Sequence, residues 1–383
     1  MEHIVLCPGS RSAPLAIAAD MISKIYAVKL TTCIDERSAA FLALGISTAK
    51  GKATAVITTS GSAVAHLLPA AIEADRSTQP LLFLTADRPK RLKNCGSNQT
   101  VNQEDFLLPA CRSFEEGPST GLHQLSSEAI ESLASKCWQK AHKYPGPLHL
   151  NLPIEEPLHA SLSEQSNVYR LCLKESSQFE SKIDFNFQLN RLPFEKVKAL
   201  NQLDPSLPGV VVVGPWRGNS KNLSGFQEVL SKWQLLSGWP VFADPLSGVS
   251  SQQPGLISNW DLLLGCSLSI PKAGLQVLRL GPMPASRNLE SWLSSLGEGQ
   301  LLITEHETRK LDPLSLSCQW SGGFLSWWLS LDSEGFFSNT IDNSHTKKLL
   351  NSWLIQDRIV QNWLDGHLPF QGSITEPTLA HWL

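Results

Sequence analysis

A fourfold pattern in the first hundred residues limits the fold more than any other feature of this chain. Each time, an apolar, β-branched run stops at a cluster of Gly, Ser, Pro, Asp or Arg. The runs are His3–Cys7 before Pro8-Gly9-Ser10-Arg11-Ser12, Leu30–Ile34 before Asp35-Glu36-Arg37, Thr54–Thr58 before Thr59-Ser60-Gly61-Ser62, and Leu81–Thr85 before Ala86-Asp87-Arg88-Pro89. Parallel strands buried on both faces read as continuous apolar runs. Open α/β sheets bind ligands outside the carboxyl ends of their strands. The four clusters are therefore expected along one edge of one sheet. That edge gathers the Glu36 carboxylate, the Arg11 and Arg88 guanidiniums and small hydroxyls, which is half of a site for an anionic substrate.

The rest of the chain extends this pattern. Its 383 residues fit two to three domains. Residues 1–160 alternate strands with helices predicted at Ala13–Lys24, Arg37–Ala49, Ser62–Ala74 and Ser126–Lys143, and close on a strand at Pro147–Pro153. Residues 161–205 are polar and read as a linker. Residues 206–333 predict a second α/β domain, with strands at Gly209–Gly214, Pro240–Ala243, Leu262–Leu264, Gln276–Leu280 and Gln300–Thr304. Residues 334–383 are expected to be helical, amphipathic over Lys347–Leu364, with a further helix beginning at Thr375. The fold class is α/β: two doubly wound parallel-sheet domains and a helical C-terminal tail. The first strand has no element before it, which points to a helix lying N-terminal to Met1.

Composition excludes several classes. Apolar residues at 42% and charged residues at 17% suit sizeable cores, and a net charge of −3 gives no basic stripe for nucleic acid. Eight of twelve Trp follow Asn259, which marks a core or an interface. The eight Cys show no C-x-x-C spacing, against a zinc ribbon or a redox dithiol. Several sit in apolar runs, so a reducing, cytoplasmic compartment is expected. No apolar run is long enough to span a membrane. There is no P-loop and no G-x-G-x-x-G. Gly117-Pro118-Ser119-Thr120-Gly121 reads as a loop. His3, His66, His123, His142 and His149 lack metal-ligand pairing and read as surface or satisfied core residues.

Each candidate site residue has a plain structural alternative. Glu36 is either a helix-start charge or a catalytic carboxylate. Arg11 suits a carboxylate ligand or is merely solvated. Pro89 holds Arg88 out of a helix, and Asn98-Gln99 after Gly96-Ser97 add uncharged donors. Their recurrence at successive strand ends favours one joint site.

Together, Pro8-Gly9-Ser10-Arg11-Ser12-Ala13-Pro14-Leu15, Asp35-Glu36-Arg37, Thr59-Ser60-Gly61-Ser62-Ala63, Thr85-Ala86-Asp87-Arg88-Pro89 and Gly96-Ser97-Asn98-Gln99 resemble the MenD family of thiamine-diphosphate-dependent synthases. Gly238-Trp239-Pro240, Asp244-Pro245-Leu246-Ser247, Arg279-Leu280-Gly281-Pro282-Met283-Pro284 and Leu311-Asp312-Pro313 carry the resemblance through the second domain. It implies a pyrimidine-binding-type domain at 1–160, a linker at 161–205, a central domain at 206–333, and a helical segment at 334–383 leading to a diphosphate-binding domain outside this chain. It implies decarboxylation of 2-oxoglutarate and addition of the product to isochorismate, for menaquinone or phylloquinone synthesis. Thiamine diphosphate and Mg²⁺ are the implied cofactors, and a homo-oligomer the implied assembly. By the same resemblance Glu36 pairs with N1′ of the aminopyrimidine and, with Ser60 and Gly61, binds the cofactor. Ser10, Arg11, Arg88, Gln99 and Arg287 bind substrate. Arg287 stands where the family usually has Lys, and Asn288 where some members have Arg. No Gly-Asp dipeptide, with which the family's Mg²⁺ motif begins, occurs in the chain, so the chain alone is expected to be inactive. The alternatives are a non-catalytic remnant or binding subunit, and another thiamine-diphosphate-dependent decarboxylase or synthase.

Overall fold

A computed structural model describes residues 1–119, 121–176, 203–266, 274–305, 307, 309–332, 343–368 and 375–382. The chain divides into two units, Met1–Gln188 with Asn219–Lys221, and Leu189–Gly218 with Asn222–Leu383. Each is built on a wholly parallel sheet flanked by helices, the α/β class that the apolar runs predict.

In the first unit the strands are β1 (His3–Leu6), β2 (Lys29–Thr32), β3 (Thr54–Thr58), β4 (Leu81–Asp87), β5 (Ser113–Glu116) and β6 (Pro147–Pro153), in the order β2-β1-β3-β4-β6-β5. Leu6 pairs with Thr32 and Ile57, Thr58 with Thr85, and Asp87 with Pro153. This register brings the polar clusters to one edge. Helix α1 (Ala13–Ile25) carries Pro14 in its first turn, where a missing N–H is harmless. Helix α2 (Glu36–Lys50) is capped by Asp35, whose carboxylate accepts the Ser38 N–H at 2.7 Å, and stops at Gly51 in the left-handed region. Its Ala39, Ala40 and Ala43 are fully buried in the core beside Val5, Val56 and Phe83.

The helix expected at Ser62–Ala74 is two, α3 (Ser62–Ala65) and α4 (Leu68–Arg76). Pro69 has no N–H for the carbonyl one turn back, so the helix breaks before it. Helix α5 (Ser127–Lys143) is capped by Ser126. Segment 161–205, expected as a linker, holds helix α6 (Leu162–Ser176) up to the end of its described part. A capping box starts it: Glu164 Oε2 accepts the Ser161 N–H at 2.7 Å, and Ser161 Oγ accepts the Glu164 N–H at 3.3 Å. The helix lies against α1. Residues 177–202 of that segment lie outside the described residues.

The second unit has strands β7 (Gly209–Val213), β8 (Val241–Ala243), β9 (Gln276–Leu280), β10 (Gln300–Ile303) and β11 (Ser317–Trp320), ordered β11-β10-β9-β7-β8. Its helices are α7 (Leu223–Ser237), α8 (Trp260–Gly265), α9 (Arg287–Leu296), α10 (Phe324–Asp332), α11 (Ser344–His367) and α12 (Glu376–Trp382). Leu262–Leu264, expected as a strand, is the middle of α8. Three consecutive leucines fit either period, and burial of Trp260 and Leu263 on one side decides for the helix. The Trp residues are mostly core: Trp233 packs edge-on against Trp239 and Trp327, with ring centroids 5.5 and 5.3 Å away. On the opposite sheet face Trp260, Trp292 and Trp353 surround Phe242. At the carboxyl ends of β7 and β9, where the strand order reverses, a Cβ on Gly214 would overlap the Pro282 carbonyl. That close approach admits only glycine.

The described cysteines are free thiols, and burial pushes the Cys7 thiol up to about 12 and that of Cys137 up to about 11. No helix among the described residues is long and apolar enough to cross a membrane.

Candidate active site

The carboxyl edge of the first sheet carries every predicted site residue except Arg287. Ser10 and Arg11 follow β1, Glu36 opens α2 after β2, Ser60 and Gly61 follow β3, Arg88 follows β4, and Gln99 lies in the loop beyond. Arg11 is only 5% exposed. Its Nη1 donates to the Ile154 carbonyl at 2.9 Å and its Nη2 to Glu156 at 3.4 Å, while Nε is buried without a partner. Arg88 is half-buried. Its Nη1 donates to Ser60 Oγ, and its backbone N–H to Asp87 Oδ1 at 2.7 Å. Burial first, and then the Arg11 charge, hold the Arg88 guanidinium below its ordinary pKa. Two guanidiniums therefore face one region, one of them with an unpaired buried N–H. That arrangement favours an anion between them.

Glu36 is half-buried and has no hydrogen bond or ion pair among the described residues. It stands close enough to Cys7, the residue after β1, for its charge to oppose ionisation of the buried thiol. Gly61, with φ of +91°, is buried, and a Cβ there would lie 3.4 Å from both the Cβ and the carbonyl oxygen of Gln99. The loop of Gln99 therefore packs down on the turn after β3. The Ser10 and Gln99 side chains are exposed and make no hydrogen bond among the described residues. Arg287 lies in the second unit, exposed in the first turn of α9, whose cap Ser286 accepts the Leu289 N–H at 3.0 Å. Asn288, also exposed, donates to the Asp261 carbonyl at 3.3 Å.

Behind the edge lies a polar network that the residue patterns did not announce. Asn151 of β6 donates to Asp87 Oδ2 at 2.8 Å and accepts from Thr85 Oγ1 and Gln103 Nε2, each at 2.9 Å. Gln103 also donates to the Ala86 carbonyl at 3.0 Å and accepts the Gly61 N–H at 2.8 Å. Lys93 bridges Asp87 and Glu104 at 2.7 Å each. A legible trace existed in β6, where His149 and Asn151 alternate with leucines in a strand buried along its whole length.

His142 is a satisfied core residue: Nδ1 meets the Trp138 carbonyl at 2.7 Å and Nε2 accepts the Ala53 N–H at 3.0 Å. His149 is not fully satisfied. Its Nε2 meets Thr85 Oγ1 at 2.7 Å, and its Nδ1 has no partner. Burial drops its pKa to about 4. The unfolded chain takes up that proton near the ordinary value of about 6.5. Between those pH values the unfolded state binds more protons, so stability is full above about pH 6.5, falls as pH drops, and levels off below about pH 4. The expected loss is on the order of 3 kcal/mol. Urea unfolding from pH 4 to 7.5 measures it, and His149→Gln should flatten that part of the profile. An unchanged slope in the variant would assign the acid sensitivity to other groups.

Residues 1–106 match the family model described as "Thiamine pyrophosphate enzyme, N-terminal TPP binding domain". The whole chain is 56% identical to the 2-succinyl-5-enolpyruvyl-6-hydroxy-3-cyclohexene-1-carboxylate synthases of Prochlorococcus marinus strains MIT 9313 and MIT 9303, covering 66% of each. It is 49% identical to the synthase of the same name from Synechococcus sp. strain CC9605, again over all of this chain and 64% of that protein. The chain thus spans just under two thirds of the length of the curated relatives it matches. With this identity along its full extent, and a match to the thiamine pyrophosphate enzyme model over its first 106 residues, the chain belongs to the family of these synthases.

Proposed function

We propose that this chain supplies the aminopyrimidine side and the acceptor clamp of a synthase that joins 2-oxoglutarate, after loss of CO₂, to isochorismate. The observation that carries the reading is the Arg11–Arg88 pair at the edge that also presents Glu36, which makes no hydrogen bond or ion pair among the described residues. A dicarboxylate acceptor needs two cationic forks, whereas a small uncharged acceptor of another thiamine enzyme needs none. The residues present fit the cofactor. Glu36, at a helix start, has no hydrogen bond or ion pair among the described residues, and it shares the carboxyl edge of the sheet with the turn at Ser60-Gly61.

When bound, thiamine diphosphate supplies the electron sink for decarboxylation. Glu36 shares a proton with N1′ of the aminopyrimidine ring. Ser60 and Gly61 line that ring, and Ser60 also orients Arg88. Arg11 and Arg88 hold the isochorismate carboxylates, and Ser10 and Gln99 complete that pocket from the rim. Mg²⁺ and the diphosphate are assigned to residues outside these 383. The chain holds no Gly-Asp dipeptide, and we infer that alone it does not turn over 2-oxoglutarate with isochorismate. A rate that survives removal of any longer homologous enzyme would overturn that inference. Exposed Ile34, Phe41, Ile72 and Leu108 support a homo-oligomer, and the eight free thiols a reducing cytoplasm.

The test of the clamp is Arg88→Ala. Losing a charge-assisted bond to a carboxylate costs roughly 1.5–3 kcal/mol, or about ten- to hundredfold. Isochorismate affinity, read by titration calorimetry, should weaken by that factor while thiamine diphosphate affinity stays within about twofold. Loss of cofactor binding with unaltered isochorismate affinity would move Arg88 to the cofactor and sink the reading.

A further inference from the structure

We infer that Gln103 is the positioning residue of this site: a one-way chain of buried hydrogen bonds fixes its amide so that its oxygen pins the Gly61 N–H, and with it the Ser60 hydroxyl that orients Arg88. The inference rests on the reading that Ser60, Gly61 and Arg88 face cofactor and substrate, and it adds a residue to which that reading gives no part.

The argument follows from donors and acceptors alone. Gln103 is 0% exposed. One end of its amide meets the Gly61 N–H at 2.8 Å, so that atom must be the oxygen. The other meets the Ala86 carbonyl at 3.0 Å, so that atom must be the nitrogen. Its second N–H then goes to Asn151, 2.9 Å away, whose facing atom must be an oxygen. Asn151 agrees independently, because its other end meets the Asp87 carboxylate at 2.8 Å and must be the NH₂. Thr85 has one hydroxyl proton. Asn151 Oδ1 cannot donate, so that proton goes to Asn151. His149 Nε2, 2.7 Å from Thr85 Oγ1, must then carry its own hydrogen and donate it. The polarity runs from His149 through Thr85 to Asn151, where it meets the donor end of Gln103. Every amide orientation is set, and a flip anywhere opposes two donors or two acceptors in a site without water contact, at a cost far above that of an ordinary bond.

The geometry also explains what Gln103 holds. Gly61 sits at φ +91°, a conformation it reaches at no steric cost but does not keep without an anchor. The short α3 that follows makes no side-chain cap. The Gln103 oxygen is the buried acceptor for the Gly61 N–H. The same segment carries Gln99 over the turn, within 3.4 Å of where a Gly61 Cβ would be. Gln103 therefore ties the end of β3, the end of β4 and the Gln99 loop to one point.

The test uses the 383-residue chain without ligand, so its outcome is separate from that of the functional reading. Gly61 amide exchange and the rate at which phenylglyoxal modifies Arg88 are followed by mass spectrometry in the unaltered protein, Gln103→Met and Gln103→Glu. In the unaltered protein Gly61 should be protected like a core amide. In Gln103→Met, which keeps the volume and loses the acceptor, Gly61 protection should fall roughly tenfold and Arg88 should react several-fold faster. Val56 and Phe83 should keep their protection. Gln103→Glu should show a pH-dependent rescue: its neutral acid offers a carbonyl to Gly61 and an O–H to Asn151, so Gly61 protection should rise as pH falls. A general loss of packing would not give that signature. Rapid Gly61 exchange in the unaltered protein would overturn the inference even if both variants failed to fold. So would folded variants in which Gly61 and Arg88 behave as before. If isochorismate never binds the chain while these exchange results hold, the functional reading fails and the role of Gln103 in holding the turn stands.

Discussion

Asp312→Ala should destabilise the second unit by about 3–5 kcal/mol, the range for removing one partner of a buried ion pair. Asp312 takes Arg279 Nη1 at 2.6 Å and the N–H groups of Leu314, Leu316 and Ser317 at 3.2, 2.7 and 2.8 Å, together with the Ser317 hydroxyl at 2.8 Å. Burial acts to raise its pKa, but the bonds from Arg279 and Ser317 outweigh it and hold the carboxyl well below the usual range. Arg279 lies in β9 at 1% exposure, and its Nη2 already lacks a partner. Without Asp312 a whole guanidinium is stranded in the sheet, and the loop that leads into β11 loses its anchor. Tryptophan fluorescence during urea unfolding reports on this unit, because every Trp except Trp138 belongs to it. The double change Arg279→Met with Asp312→Ala should recover much of the loss, since the stranded charge goes with it. An Asp312→Ala midpoint within about 0.5 kcal/mol of the unaltered protein would mean that water reaches the pair.

What was legible in the chain follows from burial on two faces. Gly209–Val213 and Thr54–Thr58 are central strands with helices on both sides, so Val210–Val213 and Ala55–Ile57 run apolar at successive positions. Edge strands carry no such demand. Ser113-Phe114-Glu115-Glu116 and Ser317-Cys318-Gln319-Trp320 are half polar because one side of each is open, and neither announces a strand. Helix α6 was hidden for a similar reason. Only its capping box, Ser161 to Glu164, separates it from a polar linker.

The site divides along the same line. Arg11, Ser60 and Arg88, which close central strands, and Glu36, which follows the edge strand β2, were readable because each breaks an apolar run. Gln103, Asn151 and His149 were not, because their partners are 17 to 66 residues away in sequence. A polar residue in a loop or inside a strand reads as exposed or as a weak strand former until the fold supplies its partners. His149, read as a surface or satisfied core residue, keeps one ring nitrogen without a partner. That local cost is carried by a network whose other members are fixed from both ends.

Glu36→Gln should leave the fold intact and lower turnover by about 10²–10⁴-fold in a preparation active in the proposed synthase reaction. The structural alternative, a charge favouring the start of α2, predicts a different result. Asp35 already caps the helix through Ser38 and places a carboxylate at its start. Removing a second, half-buried charge there costs about 0.3–1 kcal/mol of stability and nothing in chemistry. Gln keeps the size and one acceptor of Glu36 but cannot share a proton with N1′ of the aminopyrimidine. The deficit should therefore appear in kcat, with KM for isochorismate nearly unchanged, because Arg11 and Arg88 are untouched. Melting temperature, kcat and KM, and exchange of the C2 proton of bound thiamine diphosphate followed by NMR, separate the two accounts. Slow C2 exchange with an unshifted melting point places Glu36 at the chemistry. Exchange at the unaltered rate, with only a small loss of stability, would return Glu36 to the role of a helix-start charge and leave the proton transfer to another group.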